Sequence, residues 1–246
     1  MKSLRIALIG ADGRMGKAIA AVAENLADIV VASKCDARDS IERAVAEGEV
    51  VIDFSSVAAT KEVCDACLNS KTPLIVGTTG HSADQRKVIE TAAISLPIVL
   101  APNFSVGVNT LFWLTRKAAE LLGSDFDLEI VEMHHRLKKD APSGTAQRLA
   151  EILCDARKLN PQNDLAHGRK GMTGERPKAQ IGMHSLRGGD AVGEHEVIFL
   201  GPGEQLSLNH RASSRETFAR GALRAARWIV GKRPGLYSME DVLELR

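Results

Sequence analysis

Leu4-Arg5-Ile6-Ala7-Leu8-Ile9 runs without a break into Gly10-Ala11-Asp12-Gly13-Arg14-Met15-Gly16. The first six residues are mostly apolar and branched, the pattern of a buried parallel strand. Lys17 to Leu26 then reads as a helix. Gly10 suits the tight turn between them, Gly13 lets a pyrophosphate approach the backbone, and Gly16 lets helix and strand pack closely. The spacing is G-x-x-G-x-x-G, so Asp12 stands where the commoner G-x-G-x-x-G places a glycine. Ile29 to Ala32 reads as a second strand, and Asp36 lies 20 residues after Gly16. That is about where an acid holds the adenosine ribose hydroxyls of a dinucleotide. An ordinary three-glycine turn is the plainer alternative. Strand, turn, helix, strand and acid in that order favour the dinucleotide.

Working outward, Val50–Phe54, Pro73–Val76 and Pro97–Leu100 read as further strands. Helical stretches lie near Ala58–Asn69 and Ser82–Ile94. Such alternation implies a parallel sheet with helices on both faces. Ligands of these sheets bind beyond the C-terminal strand ends. Gly77-Thr78-Thr79-Gly80 and Ala101-Pro102-Asn103-Phe104 occupy two of those ends, so both are expected to touch the cofactor. After Asn109 the pattern changes. Thr110–Leu122 reads as a helix, and Asp127–His134, Gln180–Arg187, Glu194–Leu200 and Gln205–Arg211 as longer strands. Their partial alternation suits an open sheet with two unlike faces. Leu159–Lys178 is polar and reads as a long loop. Arg215–Val230 and Met239–Leu245 return to helix. The expected fold is α/β: a Rossmann-type parallel sheet domain plus an inserted α+β domain with an open mixed sheet.

Glu132-Met133-His134-His135-Arg136-Leu137-Lys138-Lys139-Asp140-Ala141-Pro142-Ser143-Gly144-Thr145-Ala146 joins the first strand of that second sheet to a helix beginning near Gly144. Two histidines and three cations crowd into six positions. Such a loop is poorly suited to a core, though basic loops are often only solvated surface. It suits a site that holds an anion and hands over protons. Ser143-Gly144-Thr145 places backbone N–H groups at a helix start, where a carboxylate or phosphate is favoured. A metal centre is disfavoured, because adjacent His134 and His135 on a strand point to opposite faces. No HExxH or paired CxxC pattern supports a metal elsewhere.

At 246 residues the chain is long enough for a substantial core. A net charge of +1 argues against a nucleic-acid or membrane surface driven by bulk charge. The start leads straight into a short strand, without a signal-peptide core, and no apolar run reaches the roughly 20 residues of a bilayer span. Of the four cysteines, Cys64 and Cys67 form a CxxC inside a helical stretch. They read as small residues one turn apart. A reducing, cytoplasmic setting is the expectation.

Four blocks together resemble the dihydrodipicolinate reductase family: Gly10–Gly16, Gly77–Gly80, Ala101–Asn109 and Glu132–Ala146. Ala212–Phe218 fits as well. The resemblance spans nearly the whole chain, and the long central motif is its most specific part. It implies an NAD(P)H-dependent reductase of the diaminopimelate route to lysine. The implied substrate is 4-hydroxy-tetrahydrodipicolinate, a six-membered cyclic imine with two carboxylates and a hydroxyl. Carried over by position, His134 and Lys138 are catalytic, with Lys138 the leading general acid and His134 a proton donor or relay. His135, Gly144 and Thr145 bind substrate. Gly10, Ala11, Asp12, Gly13, Arg14, Met15, Asp36, Gly77, Thr78, Thr79, Ala101, Pro102, Asn103 and Phe104 bind NADH or NADPH. Family members that favour NADPH often carry an arginine directly after the acid; Ala37 takes that place here, while Lys34 and Arg38 flank it. The resemblance also implies a dinucleotide domain formed by 1–105 and 215–246, a substrate-binding and oligomerisation domain at 106–214, and a homotetramer. Two rivals remain at this point: another Rossmann-type dehydrogenase of amino-acid metabolism, and a non-enzymatic nucleotide-responsive binding protein.

Overall fold

β1 (Leu4–Ile9) is the centre from which the first sheet is built: Ile6, Ala7 and Leu8 are fully buried. The computed structural model describes residues 3–245, which divide into two compact units. One comprises residues 3–106 and 215–245, the other Gly107–Ser214.

In the first unit β1 is followed by α1 (Arg14–Ala23), β2 (Ile29–Cys35), α2 (Ile41–Glu47), β3 (Val50–Asp53), α3 (Thr60–Ser70), β4 (Leu74–Val76), α4 (Ala83–Ala92) and β5 (Pro97–Leu100). In the second come α5 (Val106–Leu122), a 3-10 turn at Gly123–Asp125, β6 (Asp127–His134), α6 (Gly144–Arg157), α7 (Pro161–Asp164), β7 (Leu165–His167), β8 (Ile181–Arg187), β9 (Gly193–Gly201) and β10 (Glu204–Ala212). α8 (Glu216–Ile229), β11 (Gly235–Tyr237) and α9 (Met239–Val242) complete the first unit. Among the described residues no helix is long and apolar enough to cross a membrane.

The first sheet is parallel throughout, in the order β11-β5-β4-β3-β1-β2. The strand order reverses beside β1, which opens a crevice at the C-terminal ends of β1, β2 and β3. Apolar clusters lie on both faces, one joining α1 and α8 to Ile6 and Leu8, the other joining α2, α3 and α4 to Ala7 and Ile9. The second sheet is mixed, in the order β10-β9-β6-β8-β7. β6 runs parallel to β8 and antiparallel to β9. Leu128, Ile130, Val197 and Phe199 pack one face of it against α5 and α6. On the opposite face Glu129, Val131, Met133 and Ile198 are only partly covered. The α/β expectation therefore holds, with its parallel and mixed sheets.

Several local features differ from the sequence reading. α1 starts at Arg14, because Gly13 is its N-cap and the glycine loop feeds directly into the first turn. The short α2 is held by Ser40, whose side chain accepts from the Arg43 N–H. Leu159–Lys178 is not all loop, since α7 and β7 lie within it. Two arginines in or beside that stretch explain its course. Arg169 and Arg176 both reach the Glu129 carboxylate on β6, at 2.9 and 3.1 Å. β11, three residues pairing with β5, is also an addition.

Candidate functional site

In the first unit a cavity of about 470 Å³ opens beyond β1, β2 and β3. Its lining includes Gly10, Gly13, Asp36, Asp39, Phe54 and Glu62. Gly10 has φ +78°, and a Cβ there would come within 2.6 Å of the Phe54 carbonyl oxygen. A Cβ on Gly16 would lie 2.5 Å from the Ala11 carbonyl oxygen. Only glycine permits this close turn. The loop is tied to β2: the Gly10 N–H donates to Cys35 O at 2.8 Å, and the Asp12 N–H donates to Asp36 Oδ2 at 2.8 Å. Gly13 caps α1 without a side chain, so the helix presents backbone N–H groups to the cavity mouth. The cradle fits a dinucleotide.

Asp39 and Glu62 were not singled out in the sequence; Glu62 is remote along the chain, whereas Asp39 lies only three residues after Asp36. Burial first, then the charges of Asp39 and Asp36, push the Cys35 thiol up to about 11. The cavity is therefore an acidic one. Lys34 and Arg38 are exposed and do not line it. Thr78, Thr79 and the Ala101–Phe104 segment stand beyond β4 and β5, outside this cavity lining. Thr78 is buried and donates to Asp53 Oδ2 at 3.1 Å. The Phe104 ring is a core group, 2% exposed and 5.6 Å from the Phe54 ring. Ala11 is buried, whereas Arg14, Pro102 and Thr79 are exposed, and Met15 and Asn103 are intermediate.

In the second unit β6 alternates strictly, so Glu132 and His134 share the face of Leu128 and Ile130. Glu132 is fully buried. Its Oε1 accepts from Arg187 Nη2 at 2.7 Å and from the Ser143 N–H at 3.3 Å. Its Oε2 meets His134 Nδ1 at 2.5 Å. Burial acts to raise the Glu132 carboxyl, but hydrogen bonds from Arg187, Ser185 and His134 outweigh it and hold it below the usual value. His134 is pulled down by burial, more than the Glu132 charge restores, with Lys138 and Arg187 acting in the same direction as burial. The imidazole is thus held neutral.

Two residues far along the chain complete this cluster by strand register. His134 pairs with Arg187 on β8, and Glu132 with His195 on β9. The His195 ring meets the His134 ring edge-on at 5.1 Å. Its Nε2 is 3.0 Å from Ser143 Oγ, which also accepts from the Ala146 N–H and so caps α6. Burial, followed by the repulsion a proton on His134 would exert, pushes His195 down to about 3. Lys138 reaches both Asp140 carboxylate oxygens, at 2.9 and 2.8 Å. His135, half-buried, donates its N–H to Ala191 O at 2.8 Å, and its Nδ1 is buried without a partner among the described residues. Gly144 and Thr145 open α6, with Gly144 exposed. The loop after β8 holds the motif in place, since the Gly188 N–H donates to His134 O and the Arg136 N–H to Gly189 O.

The structure thus gathers His134, Lys138, His135, Gly144 and Thr145 around the β6–α6 connection. Sequence reasoning missed Glu132, Arg187 and His195 as parts of this site. Glu132 left a signal: an acid two residues before a histidine shares its face on a strand. Ligand atoms of Glu132, His134 and His195 lie within 4.8 Å of one another. Glu132 is already charge-paired with Arg187 and engaged by the Ser143 N–H, Ser185 and His134. This is the organisation of a hydrogen-bonded network.

Family models match both units of the chain. The family model described as "Dihydrodipicolinate reductase, N-terminus" matches residues 4–104, and the one described as "Dihydrodipicolinate reductase, C-terminus" matches 107–243. The chain belongs to the dihydrodipicolinate reductase family. A 4-hydroxy-tetrahydrodipicolinate reductase of Akkermansia muciniphila is 52% identical over 98% of each chain. One from Hahella chejuensis is 43% identical over 98% of this chain and 99% of its own. Among solved structures, a dipicolinate-bound dihydrodipicolinate reductase from Paenisporosarcina sp. TG-14 shares the fold, with TM-score 0.80 and 24% identity over 96% of this chain and 97% of its own. As a member of this reductase family, the protein is an oxidoreductase.

Proposed function

We infer that this reductase converts 4-hydroxy-tetrahydrodipicolinate to tetrahydrodipicolinate, using NADH or NADPH, on the diaminopimelate route to lysine. The observation that carries the reading is the buried Glu132–His134 pair beside Lys138 and the capped start of α6, within a chain 52% identical to a reductase of that name. The first unit would hold the dinucleotide through Gly10–Met15 and Asp36, with Gly77–Thr79 and Ala101–Phe104 at neighbouring strand ends. When bound, the dinucleotide supplies the hydride. The second unit would hold the cyclic dicarboxylate. The Gly144 and Thr145 N–H groups at the α6 N-terminus suit one carboxylate, and His135 is placed for a further contact. Lys138 is the general acid of this account, its ammonium held by Asp140.

The rival dehydrogenase reading lacks a reason for the Glu132–Ala146 block, and a pure nucleotide sensor has no use for a poised proton donor. A coupled assay tests the reading. Substrate is generated in place, and oxidation of NADH is followed beside reactions given aspartate semialdehyde alone or oxaloacetate with ammonia. Turnover only with the cyclic substrate supports it, and turnover only with a control substrate refutes it.

Assembly belongs to the same reading. The less covered face of the second sheet carries Val131, Met133 and Ile198, and Leu186 and Leu200 are 50% and 38% exposed. A sheet face of this kind is commonly closed against a copy of itself. A homotetramer formed through the strands between Gln180 and Arg211 follows, in a cytoplasmic setting. Sedimentation at micromolar concentration would show about four times the 26.4 kDa chain mass; a monomer overturns this part.

A further inference from the structure

We propose that Glu132 is a positioning residue that fixes His134 with its proton on Nδ1, leaving Nε2 as a proton acceptor. This rests on the placement of His134 at the reaction given above and adds a direction to its proton transfer.

Glu132 is restricted in what it can do. Its carboxylate is fully buried and paired at 2.7 Å with the Arg187 guanidinium, which never gives up its proton. A carboxylate so paired is ionised and can only accept hydrogen bonds. The Ser143 N–H also points at it. The His134 Nδ1 contact at 2.5 Å therefore has one polarity: Nδ1–H donates to Oε2. In a neutral ring the other nitrogen is then a lone pair. The ring is kept neutral by burial, with the Lys138 and Arg187 cations nearby, opposed by the single charge of Glu132. Nε2 stands over Gly193, where a Cβ would come within 3.0 Å, so the backbone leaves that nitrogen room.

An acceptor here gives each residue a distinct task. As water leaves the substrate, Nε2 takes a proton from the ring CH2 between the imine carbon and the hydroxyl-bearing carbon. The C–O bond breaks, and the Lys138 ammonium gives the departing hydroxyl the proton that makes it water. A conjugated ring remains. After reduction, the imidazolium returns its proton to the carbon it came from, and solvent reprotonates Lys138. One external proton is consumed and one water released, as the overall reaction requires.

The test reads the tautomer and the rate together. In protein labelled with ¹³C-histidine, the His134 signals are assigned by their loss in His134→Gln. At neutral pH wild type should show the neutral Nδ1–H form; the Nε2–H form or an imidazolium overturns the proposal. In Glu132→Gln the amide oxygen can keep Arg187 and the Ser143 N–H, which turns the NH2 toward Nδ1. The ring should switch to Nε2–H, and kcat should fall roughly 10²-fold or more, with KM for NADH within about twofold. Because the Glu132 charge no longer favours the imidazolium, any acidic limb of the kcat profile should move to lower pH. Wild-type kcat in Glu132→Gln, or a lost rate with the tautomer unchanged, overturns the positioning role. His134→Gln separates the two levels. Full activity there removes His134 from the reaction altogether. Lost activity there, combined with full activity in Glu132→Gln, removes only the part assigned to Glu132. The wild-type spectrum decides the tautomer even if Glu132→Gln does not fold.

Discussion

Gly193→Ala is the smallest change that should disable the proton-transfer site. The added methyl would lie 3.0 Å from His134 Nε2, 3.5 Å from its Cδ2 and 3.6 Å from His195 Cε1. Carbon and nitrogen not sharing a hydrogen prefer a separation of about 3.5 Å or more, so one side must give by about half an ångström. His134 has little room to do so. It is 9% exposed, bonded to the fully buried Glu132 and stacked edge-on against His195. Gly193 has no positive φ to complicate the substitution. Overpacking of this kind costs about 1–3 kcal/mol of stability. The rate should suffer more, because a misplacement approaching 1 Å at a reacting group costs about 10²-fold. The methyl also covers Nε2, the nitrogen that must accept the proton. Expected values are kcat lowered roughly 10²-fold, KM for NADH within about twofold, and a folded protein by circular dichroism. Steady-state oxidation of NADH and a thermal melt measure these. Wild-type kcat in a folded Gly193→Ala protein would refute the placement of His134 Nε2 at the reaction.

Lys138→Ala should lower kcat by roughly 10²–10⁴-fold, the scale of general acid catalysis, with NADH affinity little changed; near wild-type turnover contradicts the assignment. Asp36→Asn removes charge while keeping an oxygen for the Asp12 N–H. It should shift the kcat/KM ratio toward NADPH by about tenfold, equivalent to 1–2 kcal/mol, with Asp39 and Glu62 still opposing the 2′-phosphate. An unchanged ratio would show that Asp36 does not read the ribose. His195 gives a stability test. Its folded value of about 3 lies below the ordinary 6.5, so the unfolded chain binds the extra proton between those limits. Acidification through that window should cost about 1.4 kcal/mol per pH unit, with no contribution above it. The charged form is opposed by burial, then by His134, and also by His210 and Lys138, while Glu132 favours it. Urea unfolding between neutral pH and pH 5 should show that slope in wild type and lose it in His195→Gln. Equal slopes in the two proteins would count against it.

Much of the fold was legible because its signals are local. β1, β5 and β6 are bounded where apolar runs and glycine or proline punctuation place them, and α6 begins where Ser143-Gly144-Thr145 offers a cap. α2 and β11 escaped because seven and three residues are too few to establish a period. α7 and β7 escaped because Arg169 and Arg176 organise that stretch through Glu129, far earlier in the chain. The site divides the same way. His134, Lys138 and the α6 start lie within one continuous motif. Arg187, His195 and Gly193 reach it only through the pairing of β6 with β8 and β9, which no local pattern records. Glu62 joins the first unit's cavity from α3, far along the chain from the glycine loop.

This chain moves a hydride from a nicotinamide to the ring of a cyclic dicarboxylate. Cofactor carrying deuterium at the transferable position of the nicotinamide tests it most directly, with substrate generated in place and the product weighed by mass spectrometry. The account predicts tetrahydrodipicolinate carrying one deuterium for each NADH oxidised. Oxidation of the cofactor with no deuterium in that product, or no oxidation while the Akkermansia muciniphila relative turns over in the same mixture, would contradict it.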